Sequence, residues 1–410
     1  MTTRLDPVTA AWMSSPETLR LLAALDGEAR FVGGCVRNAL LGLAVDDIDL
    51  ATPLLPEVVM ERLRAGGISV IASGLAHGTV TAVMGTQHYE ITTLRRDDRT
   101  DGRHAEVSFN ADWALDAARR DFTMNALYAD ARGTLYDYHH GLEDLKAGRI
   151  RFIGEPQARI REDYLRILRL FRFYAYYGRS EPERSALDAV REERDGLTRL
   201  SGERIAKEML RLLAAPDPLP ALRLMGACQV LALILPGPLN FARAERLIES
   251  DNNCFFAPDP VLRLAALLGD EVAGVAALAQ RWRLSNEIKT RLEDLAGGRE
   301  KIVSYLSIRE LRKLLYRLGK ARFIDRVRLR WAEDCKASNG VAWRALLEMA
   351  RSWERPVFPL SGRDVMAAGI AEGPQIGKVL AEVEDWWVDA DFIEDPFSLA
   401  ERLKAVVQAL

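Results

Sequence analysis

The chain has 410 residues and a formal net charge of −3, and 49% of its residues are hydrophobic; this fraction is ample for folded cores and excludes a largely disordered chain. The sequence contains no apolar run of the roughly 20 residues that cross a bilayer, and no signal-peptide pattern. We therefore expect a cytoplasmic protein of roughly two to four domains. Its cysteines form no CxxC pair and are expected to be reduced thiols, not a zinc site or a disulfide framework: Cys35, Cys228, Cys254 and Cys335.

The segment up to about residue 130 alternates strand-like and helix-like patterns. "RFVGGCV" (30–36) predicts a strand ending in a glycine turn, "RNALLGL" (37–43) a short helix, and "DIDLAT" (47–52) a second strand. "PEVVMERLRAGG" (56–67) predicts a helix that begins near its proline and ends at its glycine pair. "SVIASG", "GTVTAVM" and "HYEITTL", the last two joined by a short turn, predict three further strands.

The rest of the chain divides into a polar loop and a long helical part. "RRDDRTDGRHAEVSFNADW" (95–113) is polar without periodicity, which predicts a mobile loop. From about Glu155 onward apolar residues recur at i, i+3 and i+4, which predicts helices, with proline and glycine clusters as boundaries. The predicted fold is an α+β head with a mixed sheet (1–150), followed by an all-α neck (151–215), body (216–297) and tail (298–410).

Two neighbouring motifs in the head indicate phosphate and metal chemistry. Gly33 and Gly34 leave backbone N–H groups open to an anion at a helix start, and Arg37 can add a charge-assisted bond. Asp47 and Asp49 alternate on a strand and so share one face, an arrangement that suits Mg²⁺ together with substrate phosphates. Either motif alone is usually an ordinary turn or strand end, whereas the two together are far more specific.

Three further sets of polar residues are candidates for binding. Glu90 would be a third carboxylate if its strand neighbours the DxD strand; otherwise it is a surface residue. Arg120 and Asp121, in "RRDFTMNAL", can hold a sugar or a phosphate, although Asp121 also fits a helix N-cap. Basic residues cluster between 309 and 330. They are either a stripe that binds a phosphate backbone or a solvated helix face.

"REDYLRILRLFRF" (161–173) places one acid and three arginines at every third position among apolar residues. Helix residues three apart are neighbours, but each such step falls about 60° short of a full turn. We therefore expect Asp163 and Arg166 to face a common partner. Arg169 and Arg172 wind away and are expected to reach phosphate or to brace a domain junction; ordinary i, i+3 ion pairs are the alternative.

Five motifs stand in order along the chain: "VGGCVRNALLG…DIDLAT", "RRDFTMNAL", "GLEDLKAGRIR", "EDYLRILRLFRF" and "ERIAKE". This set resembles the class II tRNA nucleotidyltransferases, the CCA-adding enzymes of the polymerase-β superfamily, which also includes bacterial poly(A) polymerases. The later "PLSGRDVMAAGIAEGPQIGKVL" is similar to the tail of many members. Two positions depart from the family pattern: Asn38 replaces an aspartate, and His139-His140-Gly141 replaces a glycine pair, which favours turn residues over ligands there.

The resemblance implies roles for individual residues of this sequence. Asp47 and Asp49 match the metal-binding carboxylates, and Gly34 with Arg37 matches the triphosphate contacts. The remaining matches are Arg120 and Asp121 for the nucleotide sugar, Asp163 and Arg166 for the incoming base, and Arg169, Arg172 and Arg204 as further positions of the same motifs.

The assignment of Asp163 and Arg166 agrees with the chemistry of the bases. Cytosine and adenine each present an amine beside a ring acceptor, whereas uracil and guanine present a carbonyl and an N–H there. A carboxylate beside a guanidinium can form hydrogen bonds with cytosine or adenine. With uracil or guanine it would face acceptor with acceptor and donor with donor, and each mismatched group costs roughly 1–3 kcal/mol. The pair is thus expected to act as a protein template for C and A.

The sequence therefore predicts template-independent addition of C and A from CTP and ATP to the 3′ end of tRNA, with Mg²⁺ in a two-metal arrangement. The alternatives are a poly(A) polymerase, an enzyme limited to CC or A addition, and a non-catalytic RNA-binding protein, which leaves the DxD motif unexplained.

"GPQIG" (373–377) is expected to offer helix N-terminal amides to a phosphate. No membrane and no protein partner is inferred. The residues expected to grip the acceptor and T arm of tRNA are Arg309, Arg312, Lys313, Arg317 and Lys320.

Overall fold

The computed structural model describes residues 4–6, 10–100, 105–109 and 111–410. The chain forms two compact units, Met1–Pro236 with Gln280–Leu284, and Gly237–Ala279 with Ser285–Leu410. Among the described residues, no helix combines the length and apolar character that a membrane span needs. The finer division into head, neck, body and tail stays a prediction.

A mixed β-sheet forms the centre of the head. The described residues give nine strands, namely β1 (Arg30–Val32), β2 (Ile48–Thr52), β3 (Ser69–Gly74), β4 (Thr79–Met84), β5 (Gln87–Thr93), β6 (Arg95–Thr100), β7 (Ala105–Phe109), β8 (Leu127–Ala129) and β9 (Leu135–Asp137). Seven of these form the sheet in the order β3-β4-β5-β2-β1-β8-β9. The pairing of β2 with β5 is parallel and all its other pairings are antiparallel. The strands predicted at β1 to β5 are confirmed.

The helices of the first unit cover the sheet and continue beyond it. Proline stands at the start of α3, as the sequence predicts, because the first helical residue needs no N–H partner. In chain order these helices are α1 (Pro16–Ala24), α2 (Gly34–Leu40), α3 (Pro56–Ala65), α4 (Trp113–Ala118), α5 (Gly141–Ala147), α6 (Pro156–Glu162), α7 (Leu165–Tyr177), α8 (Arg184–Glu193), α9 (Gly202–Leu213), α10 (Leu219–Ala227) and α11 (Leu231–Ile234).

The described residues 95–100 and 105–109 of the predicted loop form strands. Strands β6 and β7 pair with each other as an antiparallel ribbon, with Arg95 opposite Phe109, and α4 begins at Trp113. The expectation was wrong because the ribbon is held by backbone pairing, which does not require an alternating apolar pattern. Residues 101–104 and 110 of the predicted loop lie outside the described residues.

The second unit is helical throughout its described elements, as the periodicity predicts. One core of this unit packs α16, α17 and α18 around Leu315, Phe323 and Trp343. Another packs Val379, Val383 and Trp387 of α20 against Leu399 and Leu403 of α21. The helices are α12 (Phe241–Asn253), α13 (Pro260–Leu268), α14 (Val272–Trp282, whose end belongs to the first unit), α15 (Asn286–Gly297), α16 (Ile308–Leu318), α17 (Lys320–Glu333), α18 (Gly340–Ser352), α19 (Gly362–Ala367), α20 (Pro374–Asp389) and α21 (Pro396–Gln408).

Candidate active site

A cleft of about 610 Å³ in the first unit gathers most of the polar residues that the sequence singles out. Its described lining contains nine arginines and three aspartates, so it offers a strongly positive surface to an anion. Asp47 and Glu90 lie outside this lining, beside Asp49. The lining residues are Gly33, Gly34, Arg37, Asp49, Arg95, Arg119, Arg120, Asp121, Asn125, Asp163, Leu165, Arg166, Arg169, Arg172, Phe173, Arg204 and Arg211.

The glycine turn between β1 and α2 forms one wall of the cleft. Gly33 has φ 73°, a conformation that glycine adopts without the steric cost of a side chain. A Cβ atom at Gly33 would lie 3.7 Å from Nη1 of Arg120, so the turn packs against that guanidinium. Because α2 has only seven residues, the arginines around the turn are the main source of positive charge.

Arg37 is buried beside the turn and is held from two sides. Its Nη1 donates to Oδ1 of Asn125 at 2.5 Å, and its Nη2 donates to Oδ1 of Asn38 at 3.0 Å. Its guanidinium lies 4.4 Å from the ring centre of Tyr177. Burial lowers the pKa of Arg37, and the interaction with Tyr177 opposes this effect. Arg37 therefore has a fixed position from which it can meet a phosphate.

Asn38 keeps the local pairing that an aspartate would make, without the negative charge. Its Oδ1 also accepts from the Tyr177 hydroxyl at 3.2 Å, and its Nδ2 donates to the carbonyl of Ala44 at 3.0 Å. The hydrogen bonds to Arg37 are thus present, although a neutral acceptor makes them weaker than a carboxylate would. The departure from the family pattern leaves Asp47 and Asp49 unaffected.

Asp49 and Glu90 of the head lie on neighbouring strands, and Asp47 lies just before the first of these strands. Asp49 of β2 lies directly opposite Glu90 of the parallel strand β5, so the condition set for Glu90 is fulfilled. Burial and the charges of Glu90 and Asp47 raise the pKa of Asp49 to about 6, although Arg120 and Arg37 oppose this. Such crowding of negative charge is relieved by a bound cation, and the carboxylates Asp47 and Asp49 therefore fit Mg²⁺.

No three His, Cys, Asp or Glu side chains of the described residues are arranged to hold a metal ion together. Two carboxylates suffice for Mg²⁺ when substrate phosphates and water supply its other ligands. Glu90 as a third ligand stays a prediction. His139 and His140 belong to a turn: His140 has φ 59° and precedes α5, while Asp137 accepts from the backbone N–H of His139 at 3.2 Å.

Asp116 orients the two arginines of the "RRD" motif. It is fully buried; its Oδ1 accepts from Nε of Arg119 at 2.8 Å, and its Oδ2 accepts from Nη2 of Arg120 at 3.1 Å. The Tyr128 hydroxyl donates to the same Oδ2 at 2.7 Å. Burial alone would favour the neutral acid, but the charges of Arg120 and Arg119 lower the pKa of Asp116 to about 2. No sequence motif marks Asp116, although it precedes Arg119 and Arg120 by the helical spacings of three and four.

Asp121 is buried and its carboxylate is fully used within the protein. Its Oδ2 accepts from Nε of Arg169 at 2.7 Å, and its Oδ1 accepts from Nδ2 of Asn125 at 3.0 Å and from the N–H of Phe122 at 2.8 Å. Against the effect of burial, Arg169 and Asn125 lower the pKa of Asp121 to about 2. The N-cap expectation was wrong, since Phe122 holds the N-cap position of the 3₁₀ helix Thr123–Asn125.

Asp163 and Arg166 both line the cleft, but they are not neighbours on one helix. Helix α6 ends at Glu162, α7 begins at Leu165, and Asp163 lies between them in an extended conformation, with φ −154°. The expectation that the two residues are i, i+3 neighbours on one helix was therefore wrong, and their side chains have separate partners. Asp163 accepts from Nη2 of Arg204 at 2.7 Å, whereas Nη1 of Arg166 donates to Glu162 at 2.5 Å. Asp163 is thus held in position by Arg204, and Arg166 by Glu162; the two do not hold each other.

Arg169 and Arg172 each form an ion pair beside the cleft, and their predicted roles, phosphate binding or bracing a domain junction, stay predictions. Arg169 of α7 ties that helix to Asp121 of the head. The Nε of Arg172 donates to Oε2 of the buried Glu208 on α9 at 2.6 Å. Arg159 adds a further tie, because its Nη2 donates to the carbonyls of Arg119 and Arg120, each at 2.6 Å. The "RRD" motif is thus fixed by α6 and α7.

The basic stripe of the second unit is paired with acids of the same unit. Arg312 lies 3.1 Å from Asp391, Arg317 lies 2.9 Å from Asp385, and Lys313 pairs with Asp389. Arg309 donates to the carbonyl of Asp389, and Lys320 to that of Arg351 at 2.9 Å. The acids come from α20 and the turn after it, some 70 residues along the chain, which the local charge pattern could not reveal. The role of the stripe in binding RNA stays a prediction.

The comparisons with known proteins agree with this geometry. Residues 29–151 match the "Poly A polymerase head domain", and residues 181–240 match the "Probable RNA and SrmB- binding site of polymerase A". The mitochondrial CCA tRNA nucleotidyltransferase 1 of Danio rerio is 38% identical over 88% of this chain and 83% of its own length. The chain belongs to the CCA tRNA nucleotidyltransferase family.

Two further members of the family extend the likeness over almost the whole chain. The CCA-adding enzyme of Streptococcus gordonii is 33% identical over 96% of this chain and 97% of its own length. The crystal structure of the Bacillus stearothermophilus CCA-adding enzyme in complex with CTP superimposes with a TM-score of 0.71 at 26% identity, covering 97% of this chain and all of that one. The family and fold expected from the ordered motifs are therefore confirmed.

Proposed function

We propose that this protein adds C and A, taken from CTP and ATP, to the 3′ end of tRNA without a nucleic-acid template. The observation that carries the proposal is the cleft itself, in which Asp49 of the DxD motif, a glycine turn and nine arginines meet in one described site. The names of the relatives, CCA tRNA nucleotidyltransferase and CCA-adding enzyme, and the CTP bound to the Bacillus stearothermophilus enzyme support it.

In the proposed reaction, the 3′-hydroxyl of the RNA attacks the α-phosphate of the nucleotide and pyrophosphate leaves. Asp47 and Asp49 would hold Mg²⁺, which supplies activation of the hydroxyl and neutralisation of phosphate charge. Gly33, Gly34 and Arg37 would contact the triphosphate. The sugar would lie against Arg120, whose guanidinium is oriented by Asp116, and near Asp121.

The base of the nucleotide would be read by Asp163 and Arg166. Each is held by its own partner, Arg204 at 2.7 Å and Glu162 at 2.5 Å. A carboxylate and a guanidinium fixed in this way are pre-organised, so little side-chain entropy remains to be lost when a base binds. Pairing with the amine and the ring acceptor of C or A would leave U and G mismatched.

The tail would bind the acceptor and T arm of the tRNA. Arg312, Lys313 and Arg317 of its basic stripe already pair with acids, so RNA phosphates would have to displace these acids or bind beside them. These pairs are partly exposed, with side-chain exposures of 35–46% for the cations, and exposed pairs of this kind are worth only about 0–1 kcal/mol. Replacing these acidic partners by RNA phosphates therefore costs little free energy. The first turn of α20, which begins at Pro374 within "GPQIG", remains a second proposed phosphate contact.

Replacement of Asp49 by asparagine tests whether the protein is an enzyme or only an RNA-binding protein. If the protein is an enzyme, D49N should lower the incorporation of labelled CMP and AMP by roughly 10²–10³-fold or more, since charge stabilisation at the reacting phosphate is lost. The affinity for tRNA in filter binding should stay near that of the wild type. Undiminished incorporation in D49N would refute the proposed metal site.

A further inference from the structure

We propose that Arg211, at the rim of the cleft, binds the outer phosphates of the incoming nucleoside triphosphate and the pyrophosphate released from it. This inference rests on the proposed function, since it names a contact for that nucleotide. Arg211 lies near the C-terminal end of α9 and lines the cleft. It belongs to none of the motifs that the sequence analysis singles out.

Among the described residues, Arg211 differs from the other arginines of the cleft because its guanidinium donates to no protein acceptor. The remaining eight donate to protein acceptors, as Arg120 does to Asp116 and Arg172 to Glu208. Arg211 is exposed, and within the described residues its guanidinium makes neither a hydrogen bond nor an ion pair. Its five N–H donors are therefore open to a ligand that enters the cleft.

The contacts of its neighbours place Arg211 at the triphosphate end of the cleft. The Tyr176 hydroxyl of α7 donates to the carbonyl of Arg211 at 2.9 Å. The next residue, Tyr177, has its ring centre 4.4 Å from the guanidinium of Arg37, the residue beside the glycine turn. Arg166, at the base-reading end, is ten residues before Tyr176 on α7, roughly 15 Å away along the helix.

The chemistry of the nucleotide explains why a guanidinium is useful at this position. Arg37 is buried and directs its N–H groups partly to Asn38 and Asn125, so it cannot satisfy every phosphate oxygen of a triphosphate. As the bond to the α-phosphate breaks, negative charge accumulates on the leaving pyrophosphate, and a free guanidinium can follow and stabilise it. The backbone phosphates of the RNA 3′ end are the other source of the same chemistry, and the experiment separates the two.

The test compares Arg211→Ala, Arg211→Lys and Lys207→Ala with the wild-type chain. Lys207 is a matched control, because it is an exposed cation on the same helix that does not line the cleft. Calorimetric titration with ATP, pyrophosphate and AMP, each with Mg²⁺, gives the binding affinities. Filter binding of tRNA ending in CC at several salt concentrations gives the RNA affinity and its salt dependence.

We expect R211A to weaken the binding of ATP and pyrophosphate about tenfold and to leave AMP binding unchanged, since AMP has no outer phosphates. R211K should recover part of the loss and K207A should behave as wild type. Unchanged ATP and pyrophosphate binding in R211A would overturn the inference, and so would an equal loss for AMP. A loss confined to tRNA, with a salt slope reduced by about one, would also overturn it, because it would assign Arg211 to an RNA phosphate.

This experiment is independent of the proposed function. If the wild-type chain transfers no nucleotide to tRNA, the proposed function fails, but the calorimetric comparison still reports on Arg211. If the wild type transfers C and A normally and R211A binds ATP normally, only the inference fails.

Discussion

Replacement of Asp116 by asparagine should destabilise the head by an amount that depends on pH. The carboxylate is buried between Arg119, Arg120 and Tyr128, and its pKa falls from an ordinary value of 3.8 to about 2. Since a pKa difference of one is worth about 1.4 kcal/mol, ionisation of Asp116 contributes on the order of 2 kcal/mol to stability at neutral pH. Because the pKa is lower in the folded chain, this contribution is complete above about pH 4 and is lost as the pH falls through about 2.

The unfolding free energy of wild type and D116N should therefore differ by about 2 kcal/mol at pH 7 and by only about 1 kcal/mol at pH 3. Urea unfolding followed by pulsed hydrogen–deuterium exchange, read on peptides from β1 and β8, reports on the head without the transition of the second unit. Asp195→Asn is the control, since that side chain is 80% exposed, and it should change stability by less than about 0.5 kcal/mol. A D116N effect that is the same at both pH values would refute the assignment of its stability to the ion pairs.

Three further predictions concern binding. Asp163→Ala should reduce the preference for CTP and ATP over UTP and GTP about tenfold in single-turnover incorporation, because one reader of the base is lost; unchanged selectivity would assign the reading elsewhere. Arg204→Ala should reduce the same preference, since Asp163 loses its partner at 2.7 Å, while Lys207→Ala on the same helix should not; equal behaviour of the two variants would contradict this. Arg312→Ala with Arg317→Ala should lower the salt slope of tRNA binding by about two; an unchanged slope would show that the stripe serves only its pairs with Asp391 and Asp385.

The sequence was sufficient to predict features that depend on local chemistry. Glycine at positions 33 and 34, the alternation around Ile48 and the proline at 56 fix a turn, a strand and a helix start through short-range sterics and periodicity. Most members of the candidate site, though not Asp116 or Arg211, were predictable for the same reason, because the motifs carry them. Their partners were not, since β2 pairs in parallel with β5, and Asp49 meets Glu90 across some 40 residues of chain.

The errors at the neck have a similar cause. The apolar pattern of "REDYLRILRLFRF" continues through Asp163 without glycine or proline, so it predicts one helix where the structure has two. The break at Asp163 is stabilised by tertiary contacts, among them the ion pair with Arg204, 41 residues away. Likewise, the basic stripe is neutralised by acids that fold onto it from α20 and the turn after it. Interactions between distant segments of this kind override local propensity and leave no trace in a local pattern.

The central claim is that this cleft selects C and A and stops after CCA. The most direct measurement supplies a tRNA that ends before CCA with each labelled nucleotide alone and with CTP and ATP together, and sizes the products on a sequencing gel. The account predicts two additions with CTP alone, three with CTP and ATP together, and no extension with UTP or GTP. A long A tail, or incorporation of U and G at rates similar to those of C and A, would contradict it.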